Sequence, residues 1–325
     1  MTRYLIRRIL YAVPILIGVN LITFVLFFIV NPPDNMARIH LGVKRVTPDA
    51  IAQWKHDHGY DKPMLWNASA SQTAKLTDTI FFDKSVALFA FEFGPADDGR
   101  DIGYDIGQRM WPSLAIQIPV FLIGIVLYVT FALTLAFFRG TYLDLWGVVL
   151  CVILLSISSL FYVIGGQYLI GKLLNLTPIS GYDTGVSATK FLLLPVLVGV
   201  ASGIGASTRL YRTIFLEEIG KDYMRTARAK GLSDVRVLFR HGLKNALIPI
   251  LTGVVVIIPS LFLGSLILES FFGVPGLGSY TIDGIRSQDF AIVRAMVFLG
   301  SLLYIAGLIL TDLSYTLVDP RVRLE

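Results

Sequence analysis

The chain has 325 residues, of which 54% are hydrophobic and only 16% are charged, with a mean hydropathy of +0.68. This composition excludes an ordinary soluble enzyme and is typical of a polytopic membrane protein. The net charge of +5 does not indicate a nucleic-acid partner, because the basic residues are concentrated beside apolar runs, where membrane topology accounts for them. The single cysteine, Cys151, excludes an intramolecular disulfide and a cysteine-based metal site.

Six apolar segments are long enough to cross a bilayer as helices. They cover residues 9–30, 112–138, 145–171, 190–208, 246–270 and 291–312. No small-residue cleavage site follows the first segment, so we interpret it as a retained span and not as a signal peptide. Arg3, Arg7 and Arg8 predict a cytoplasmic N-terminus, and six spans then place the tail at 318–325 in the cytoplasm as well.

The segment 31–110 is polar and mixed in charge, which predicts a small folded subdomain outside the membrane. Thr47 followed by Pro48 is typical of a helix start, and Gly59 predicts the end of that helix. Three histidines also lie here, at positions 40, 56 and 58. They have no cysteine or suitably spaced third ligand nearby, so we interpret them as structural or surface residues and expect no metal.

A few polar residues and one proline interrupt the apolar spans. A polar side chain in hydrocarbon needs either a partner or a water-filled path. We therefore treat these residues as candidates for the translocation pathway or its gate, and hydrogen bonds between helices are the alternative role. The candidates are Gln117, Ser156, Ser158, Ser159 and Pro259. The small residues Gly199, Gly203 and Gly205 predict close helix packing in the fourth span, and Ser260 with Gly264 predicts the same in the fifth.

A partial match to a phosphate-binding loop occurs at residues 166–172, with the sequence GQYLIGK. Leu173 stands where that motif needs Ser or Thr, and no strand precedes it. We therefore predict no ATP site on this chain.

The longest polar interruption in the second half of the chain is the loop 209–245. It contains nine Lys and Arg against four acidic residues, which predicts a cytoplasmic location. A helix over 219–230, a left-handed Gly231 and a capping Ser233 would make it a compact helical elbow. Tyr223, Ala227 and Lys230 share a helix face at this spacing, and the small Ala227 would let another protein approach closely. On the same helix, Asp222 can pair with Arg225 or Thr226.

Three strings carry a family resemblance. The first is R-T-A-R-A-K-G at 225–231 with the residues up to Pro249, the second is E-S-F-F-G-V-P-G-L-G at 269–278, and the third is the ending at 312–323. Together they resemble the permease subunits of the dipeptide, oligopeptide and nickel branch of ABC importers. Arg225 and Thr226 replace the Glu and first Ala of the general importer signature, which is the form that the peptide branch uses.

The resemblance implies an all-α integral membrane protein with six transmembrane helices: residues 1–30 as N-terminus and first span, the external subdomain 31–110, and a type I ABC-importer permease core at 111–317. It also implies four kinds of partner besides membrane lipid: a homologous second permease, two ATP-binding subunits and an external substrate-binding protein. ATP and Mg would be held by the partner subunits, so this chain would be a transport subunit without a cofactor and not an enzyme. Its location would be the bacterial inner membrane.

In that family the basic loop docks into a groove on the ATP-hydrolysing subunit. The residues that the resemblance assigns to coupling are Asp222, Tyr223, Arg225, Thr226, Ala227, Lys230 and Gly231, and Glu269 joins the pathway or gate candidates. The implied substrate is a di- or oligopeptide, with nickel or another small solute as the alternative.

Three other classes of membrane protein fit these residues less well. A secondary transporter driven by an ion gradient would have carboxylates near the bilayer midplane, whereas Glu269 and Asp312 lie near span ends. A membrane-embedded hydrolase would need a catalytic cluster, and no histidine lies in any predicted span. A purely structural scaffold would not explain the string at 225–231.

Overall fold

The computed structural model describes residues 2–42, 46–70 and 74–318, and these residues are almost entirely helical. Apart from one isolated bridge between Pro95 and Asp101, the described residues form no β pairing. The α-helices in chain order are α1 (Thr2–Phe24), α2 (Pro33–Leu41), α3 (Pro48–Asp57), α4 (Ala74–Thr77), α5 (Ile102–Phe137), α6 (Tyr142–Ser156), α7 (Ser159–Gly166), α8 (Ala188–Ile219), α9 (Asp222–Ala229), α10 (Asp234–Val237), α11 (Lys244–Val255), α12 (Leu266–Phe272), α13 (Leu277–Ser287) and α14 (Phe290–Val318).

Shorter π and 3₁₀ segments extend or join these helices. The π segments are Val25–Val30, Phe82–Val86, Gln167–Leu173 and Leu238–Leu243, and the 3₁₀ segments are Ala87–Ala90, Gly185–Ser187 and Pro259–Leu263. Four helices of the described chain are long and apolar enough to cross a membrane, and the number rises to six if each of two bent pairs counts as one span. The protein is thus an all-α membrane protein.

Two of the continuous spans are longer than the sequence predicts. The second begins at Ile102 and not at 112, because the carboxylate of Asp101 accepts a hydrogen bond from the Tyr104 amide at 2.7 Å and caps the helix there. The fourth continues beyond 208 to Ile219. Its last turns carry polar residues, which hydropathy alone excludes from a span although they are compatible with a helix.

The third predicted span is broken. Helices α6 and α7 meet at an angle of 90°, because Ile157 and Ser158 between them adopt extended backbone conformations. The prediction of one continuous helix over 145–171 is therefore wrong. Three serines surround Ile157, at positions 156, 158 and 159, but they do not predict a break, because serine is also common in continuous membrane helices.

The fifth predicted span is bent by 41° between α11 and the segment that starts at Pro259. Proline has no amide hydrogen to continue the helix, which accounts for the bend before Pro259. The predicted close contact at Ser260 and Gly264 is confirmed only at Gly264, where a Cβ atom would lie 2.6 Å from the Ser113 hydroxyl of α5. Gly264 ends the 3₁₀ segment with φ +71°, and the exposed Ser260 hydroxyl donates to the carbonyl of Ile257 at 2.7 Å.

The described chain forms two compact units. The first contains the described residues up to 108 and residues 280–305. Its core includes Phe24, Phe28, Met36, Tyr60 and Ile80. The predicted start of α3 is confirmed, because the Thr47 hydroxyl accepts a hydrogen bond from the Ala50 amide at 3.3 Å and Pro48 follows it.

The second unit contains residues 109–279 and the described residues from 306 onwards. Helix α8 packs against α6 so closely that a Cβ atom on Gly205 would lie 2.6 Å from the carbonyl oxygen of Cys151. The Tyr128 hydroxyl of α5 donates to the Val200 carbonyl at 2.7 Å. The predicted close packing of the small residues of this span is thus confirmed at Gly205.

One ion pair ties α6 to α8 near the end of the apolar stretch. The Arg212 guanidinium donates two hydrogen bonds to the Asp144 carboxylate, both of 2.8 Å. This two-point contact orients the helices as well as neutralising the charges. The helical extension beyond 208 therefore continues the packing of the span.

A candidate coupling elbow and a polar break in the membrane helices

The elbow begins where α8 ends. Gly220 and Lys221 separate α8 from α9, and Lys221 has an extended backbone, so the predicted helix start at 219 is corrected to Asp222. The bend at the other end is as predicted, because Gly231 has φ +78°. Ser233 occupies the residue before α10, but its side chain makes no capping hydrogen bond there, so its predicted capping role is wrong.

One face of α9 is buried against its own chain. Met224 is fully buried and Ala227 is only 6% exposed. They belong to a cluster that draws on α5, α8, α10, α11 and the π segment before α11: Ala132, Leu133, Ala136, Phe215, Ile219, Val237, Leu238, Ala246, Ile250 and Val254. The prediction that Ala227 lies on a shallow face open to another protein is therefore wrong. The small side chain allows close packing within the subunit instead.

The opposite face of α9 is exposed and charged. The Arg225 side chain is 75% exposed and its guanidinium lies 3.7 Å from the Asp222 carboxylate. The Thr226 hydroxyl donates to the backbone carbonyl of Asp222 at 3.0 Å. Lys230 is also exposed, whereas Tyr223 is half-buried. The seven residues that the family resemblance assigns to coupling therefore do not share one exposed face.

A buried carboxylate joins the elbow to the end of α8. Glu218 is 7% exposed and accepts hydrogen bonds from the Tyr223 hydroxyl and the Lys221 ammonium group. Burial, together with the hydrogen bond to Glu218, raises the pKa of Tyr223 above its ordinary value. Sequence reasoning did not identify Glu218 or Met224. The sequence does contain an indication of the Glu218 contact: an acidic residue follows an apolar helix and precedes a tyrosine by five positions.

The polar residues of the third span gather at the break between α6 and α7. A mainly apolar cavity of about 950 Å³ opens there, and its lining includes Ser156, Ser158 and the aromatic ring of Tyr162. The Ser156 hydroxyl donates to the Val152 carbonyl of its own helix at 2.8 Å. Ser159 is exposed beside the cavity. Gln117, half-buried on α5, and Pro259, which is buried, are not among the described lining residues.

Glu269 is fully buried at a tight turn. Its carboxylate accepts hydrogen bonds from the backbone amides of Ser265, at 3.1 Å, and Ser279, at 3.0 Å. A Cβ atom on Gly264 or Gly276 would collide with this carboxylate. The surroundings of Glu269 are therefore those of a residue that holds the turn after α12, and they do not leave it accessible to a solute as a pathway residue would be.

No group of three or more His, Cys, Asp or Glu side chains suited to a metal ion occurs within the described ranges. All three histidines lie near carboxylates in the first unit: His40 is 2.6 Å and His58 3.5 Å from Asp97, and His56 is 2.8 Å from Asp61. These contacts agree with the interpretation of the three as structural or surface residues.

Comparison with known proteins agrees with this architecture. Residues 115–324 match the family described as binding-protein-dependent transport system inner membrane component, and residues 1–90 match the N-terminal region of the same kind of membrane component. The chain is 30% identical to the dipeptide transport system permease protein of Lactococcus lactis (strain MG1363), with each chain covered over its whole length.

Other relatives carry related names. The chain is 28% identical to a putative peptide transport system permease protein of Brucella abortus (strain 2308), with both chains fully covered. It is 27% identical to the dipeptide transport system permease protein of Bacillus subtilis (strain 168), over the whole of this chain and 99% of the other. The chain therefore belongs to the binding-protein-dependent transport system inner membrane components, as a permease subunit of the ABC-importer branch that includes the dipeptide permeases.

Proposed function

We propose that this permease subunit forms half of the translocation pathway of an ATP-driven importer of di- or oligopeptides, and that it couples to an ATP-hydrolysing partner through the exposed face of α9. The observation that carries the coupling role is the division of α9 into two faces. Its charged face is available to a partner, while Met224 and Ala227 on the other face pack into the membrane unit.

This arrangement suits the transmission of movement. The cluster around Met224 and Ala227 includes Phe215 near the end of α8 and Ile250 in α11. Interiors are close-packed and transmit strain, so a displacement of α9 by a partner cannot leave these helices unchanged. The hydrogen bonds of Glu218 to Tyr223 and Lys221 reinforce the same connection. A partner that pushes the exposed face would therefore move two membrane helices together.

The break between α6 and α7 supports a role in the pathway. The backbone at Ile157 and Ser158 leaves the helical conformation, and irregular backbone at membrane depth is tolerated where it lines a cavity or is buried in protein. The cavity there presents serine hydroxyl groups on apolar walls. Such a surface can hydrogen-bond a peptide backbone without selecting particular side chains. Ser156, Ser158 and Ser159 are therefore retained as pathway candidates, with Gln117 proposed as a further one.

The proposed assembly contains a homologous second permease, two subunits that bind ATP and Mg, and an external substrate-binding protein. The basic composition of 209–245 supports a cytoplasmic location for α9, and both termini then lie in the cytoplasm. The segment 31–110 would lie outside, where it could receive the binding protein.

The test is reconstitution of the chain with its partner subunits in liposomes, with uptake of labelled dialanine measured with and without ATP. We expect ATP-dependent uptake that needs the binding protein, and no comparable uptake of Ni²⁺. Uptake of Ni²⁺ but not of peptides would overturn the substrate class. Uptake without ATP, driven by an ion gradient, would overturn the proposed coupling.

A further inference from the structure

A second cavity, with a more polar lining, lies in the first unit, away from α9 and from the break between α6 and α7 in sequence. Its volume is about 450 Å³. That volume falls in the range of small-molecule sites, roughly 300–1,000 Å³. Four charged side chains contribute to its lining: Asp57, Lys84, Asp97 and Arg294.

The guanidinium of Arg294 is the most unusual group in this lining. Arg294 is 2% exposed, and neither its Nε nor its Nη1 atom has a hydrogen-bond partner among the described residues. The guanidinium carbon lies 5.5 Å from the centre of the Phe28 ring. The side-chain hydrogen bond of Arg294 is with Tyr60, which is neutral, and a buried charge that no opposite charge compensates is costly. The two unpartnered nitrogens can therefore gain strongly from an anion in the cavity.

Asp289 does not fill this role. Its carboxylate accepts hydrogen bonds from three backbone amides: those of Ala291 at 3.0 Å, Ile292 at 3.1 Å and Asp97 at 2.7 Å. Two of these amides belong to the first turn of α14, so Asp289 caps that helix. Within the described residues, no carboxylate forms an ion pair with Arg294 at 4.0 Å or less. Asp289 therefore makes the net charge around the cavity less positive but forms no ion pair with the Arg294 guanidinium.

Lys84 adds a second positive charge to the same lining. Its ammonium nitrogen lies 5.3 Å from the centre of the Tyr60 ring. Burial, and next the charge of Arg294, hold the pKa of Lys84 below its ordinary value. A bound anion would relieve the repulsion between the two cations. The cavity thus has two adjacent cationic groups whose charges no described carboxylate balances by direct contact.

The carboxylate of Asp97 lies on the same cavity and is engaged by histidines. It lies 2.6 Å from His40 Nε2 and 3.5 Å from His58 Nε2. The Trp54 ring stacks on the His58 ring, with centroids 4.1 Å apart. The cavity therefore contains acidic as well as basic groups, a combination that suits a zwitterionic solute better than a simple anion.

We propose that this cavity binds a small solute through its carboxylate, which Arg294 and Lys84 would receive, and that the solute is an amino acid or a short peptide. The planar guanidinium still has N–H donors to spare on Nε and Nη1, and a hydrogen bond from a guanidinium to a carboxylate is strong because both groups are charged. The assignment of a carboxylate comes from the residues of the cavity. The choice of a peptide among such solutes rests on the proposed function.

The test measures binding of dialanine and of dialanine amide, which lacks the carboxylate, to the purified full-length chain in detergent by titration calorimetry. We expect saturable binding of dialanine and at least tenfold weaker binding of the amide. Lys84→Met should weaken dialanine binding at least tenfold. Its control is Lys75→Met in the same unit, which removes a lysine that lies over the Trp66 ring, outside the cavity lining, and should leave binding unchanged.

Arg294→Lys keeps the positive charge but removes the planar guanidinium, so it should weaken dialanine binding. Gel filtration should still show a monodisperse chain. The site is overturned if dialanine does not bind, if the amide binds equally well, or if Lys84→Met binds like the unaltered chain. Failure of the site and failure of the proposed function are distinguishable. Peptide uptake by the reconstituted importer without carboxylate-dependent binding to this chain would remove the site alone, and carboxylate-dependent binding without peptide uptake would remove the substrate class alone.

Discussion

At the level of single residues, two buried carboxylates each hold a neighbouring segment in place. Glu218 and Glu269 are both almost completely enclosed, and each accepts hydrogen bonds from groups of its own neighbourhood. Glu218 binds a phenol hydroxyl together with an ammonium group, and Glu269 binds backbone amides. Each therefore positions a particular segment, and substitutions that remove one hydrogen bond should have local and measurable effects.

Replacing Tyr223 by Phe removes the hydroxyl that donates to Glu218 while keeping the ring. A hydrogen bond to a charged group contributes about 2 kcal/mol, so we expect a corresponding loss of stability and a larger ATP consumption per peptide transported. Thermal unfolding of the purified chain and coupled uptake in liposomes measure the two effects. Tyr142→Phe is the matched control, because Tyr142 is 83% exposed. Equal behaviour of the two variants would contradict the role of Tyr223.

Replacing Glu269 by Ala leaves the amides of Ser265 and Ser279 without their acceptor in a buried site. Each unsatisfied group costs about 1–3 kcal/mol, so we expect a strong loss of thermal stability, and a smaller loss for Glu269→Gln, which keeps one acceptor oxygen. Glu217→Gln makes the same change at an exposed position and should be neutral. A stable Glu269→Ala chain that fails only in transport would restore Glu269 to the pathway.

At the scale of elements, α9 is a short helix whose position depends on what it buries. Its buried residues, Met224 and Ala227, are three positions apart and so lie on one face, while Arg225 and Thr226 lie on the other. Eight residues are too few for a stable helix in isolation, so packing must hold α9 in place. A substitution on the buried face should therefore lower stability, whereas one on the exposed face should weaken association with the partner.

We expect Ala227→Trp to displace α9 from its cluster, since overpacking a well-packed site costs about 1–3 kcal/mol or more. Ala229→Trp, on the exposed side of the same helix, should leave thermal stability unchanged and block association with the ATP-hydrolysing subunit. Melting temperature and co-purification separate the two outcomes. If Ala229→Trp still co-purifies with the partner in full amount, the exposed face of α9 is not the docking surface.

The close crossing of α6 and α8 depends on a glycine, Gly205, which has no side chain at the contact. A Cβ atom at Gly205 would lie 2.6 Å from the Cys151 carbonyl oxygen and 2.7 Å from the Leu155 amide nitrogen. Gly205→Val should therefore separate the helices and lower the melting temperature by several degrees. Gly253→Ala is the control, because nothing lies within 4 Å of its Cβ position and alanine favours a helix by roughly 0.5–1 kcal/mol.

At the scale of the whole molecule, coupling requires that a charged surface meets a partner across an interface. Reversal of charge at Arg225 should reduce ATP-driven uptake more than tenfold while the chain still assembles in the membrane, because like charges placed against each other at an interface cost several kcal/mol. Arg240→Glu is matched to it, since Arg240 is also exposed in the basic loop but lies outside α9. Uptake reduced equally by both variants would point to the net charge of the loop and not to the face of α9.

Features that depend on composition or on a few neighbouring residues can be predicted from the sequence alone. The apolar segments, the start of α3 at Pro48, the kink at Pro259 and the left-handed Gly231 are of this kind. Hydropathy and local backbone preference act over short stretches, so these features can be predicted without a partner residue far along the chain.

Which side chains are enclosed and which remain free depends on contacts that form only in the folded chain. Ala227 packs against Phe215 and Ala246, Glu269 bonds Ser279, and Arg294 lies beside Phe28, which is more than 250 positions away. The break at Ile157 has only a weak local signal, three serines that a continuous membrane helix would also tolerate. Burial is a property of segments brought together by folding, so spacing along the helix placed Tyr223 and Ala227 on one face of α9 but could not show that this face is covered.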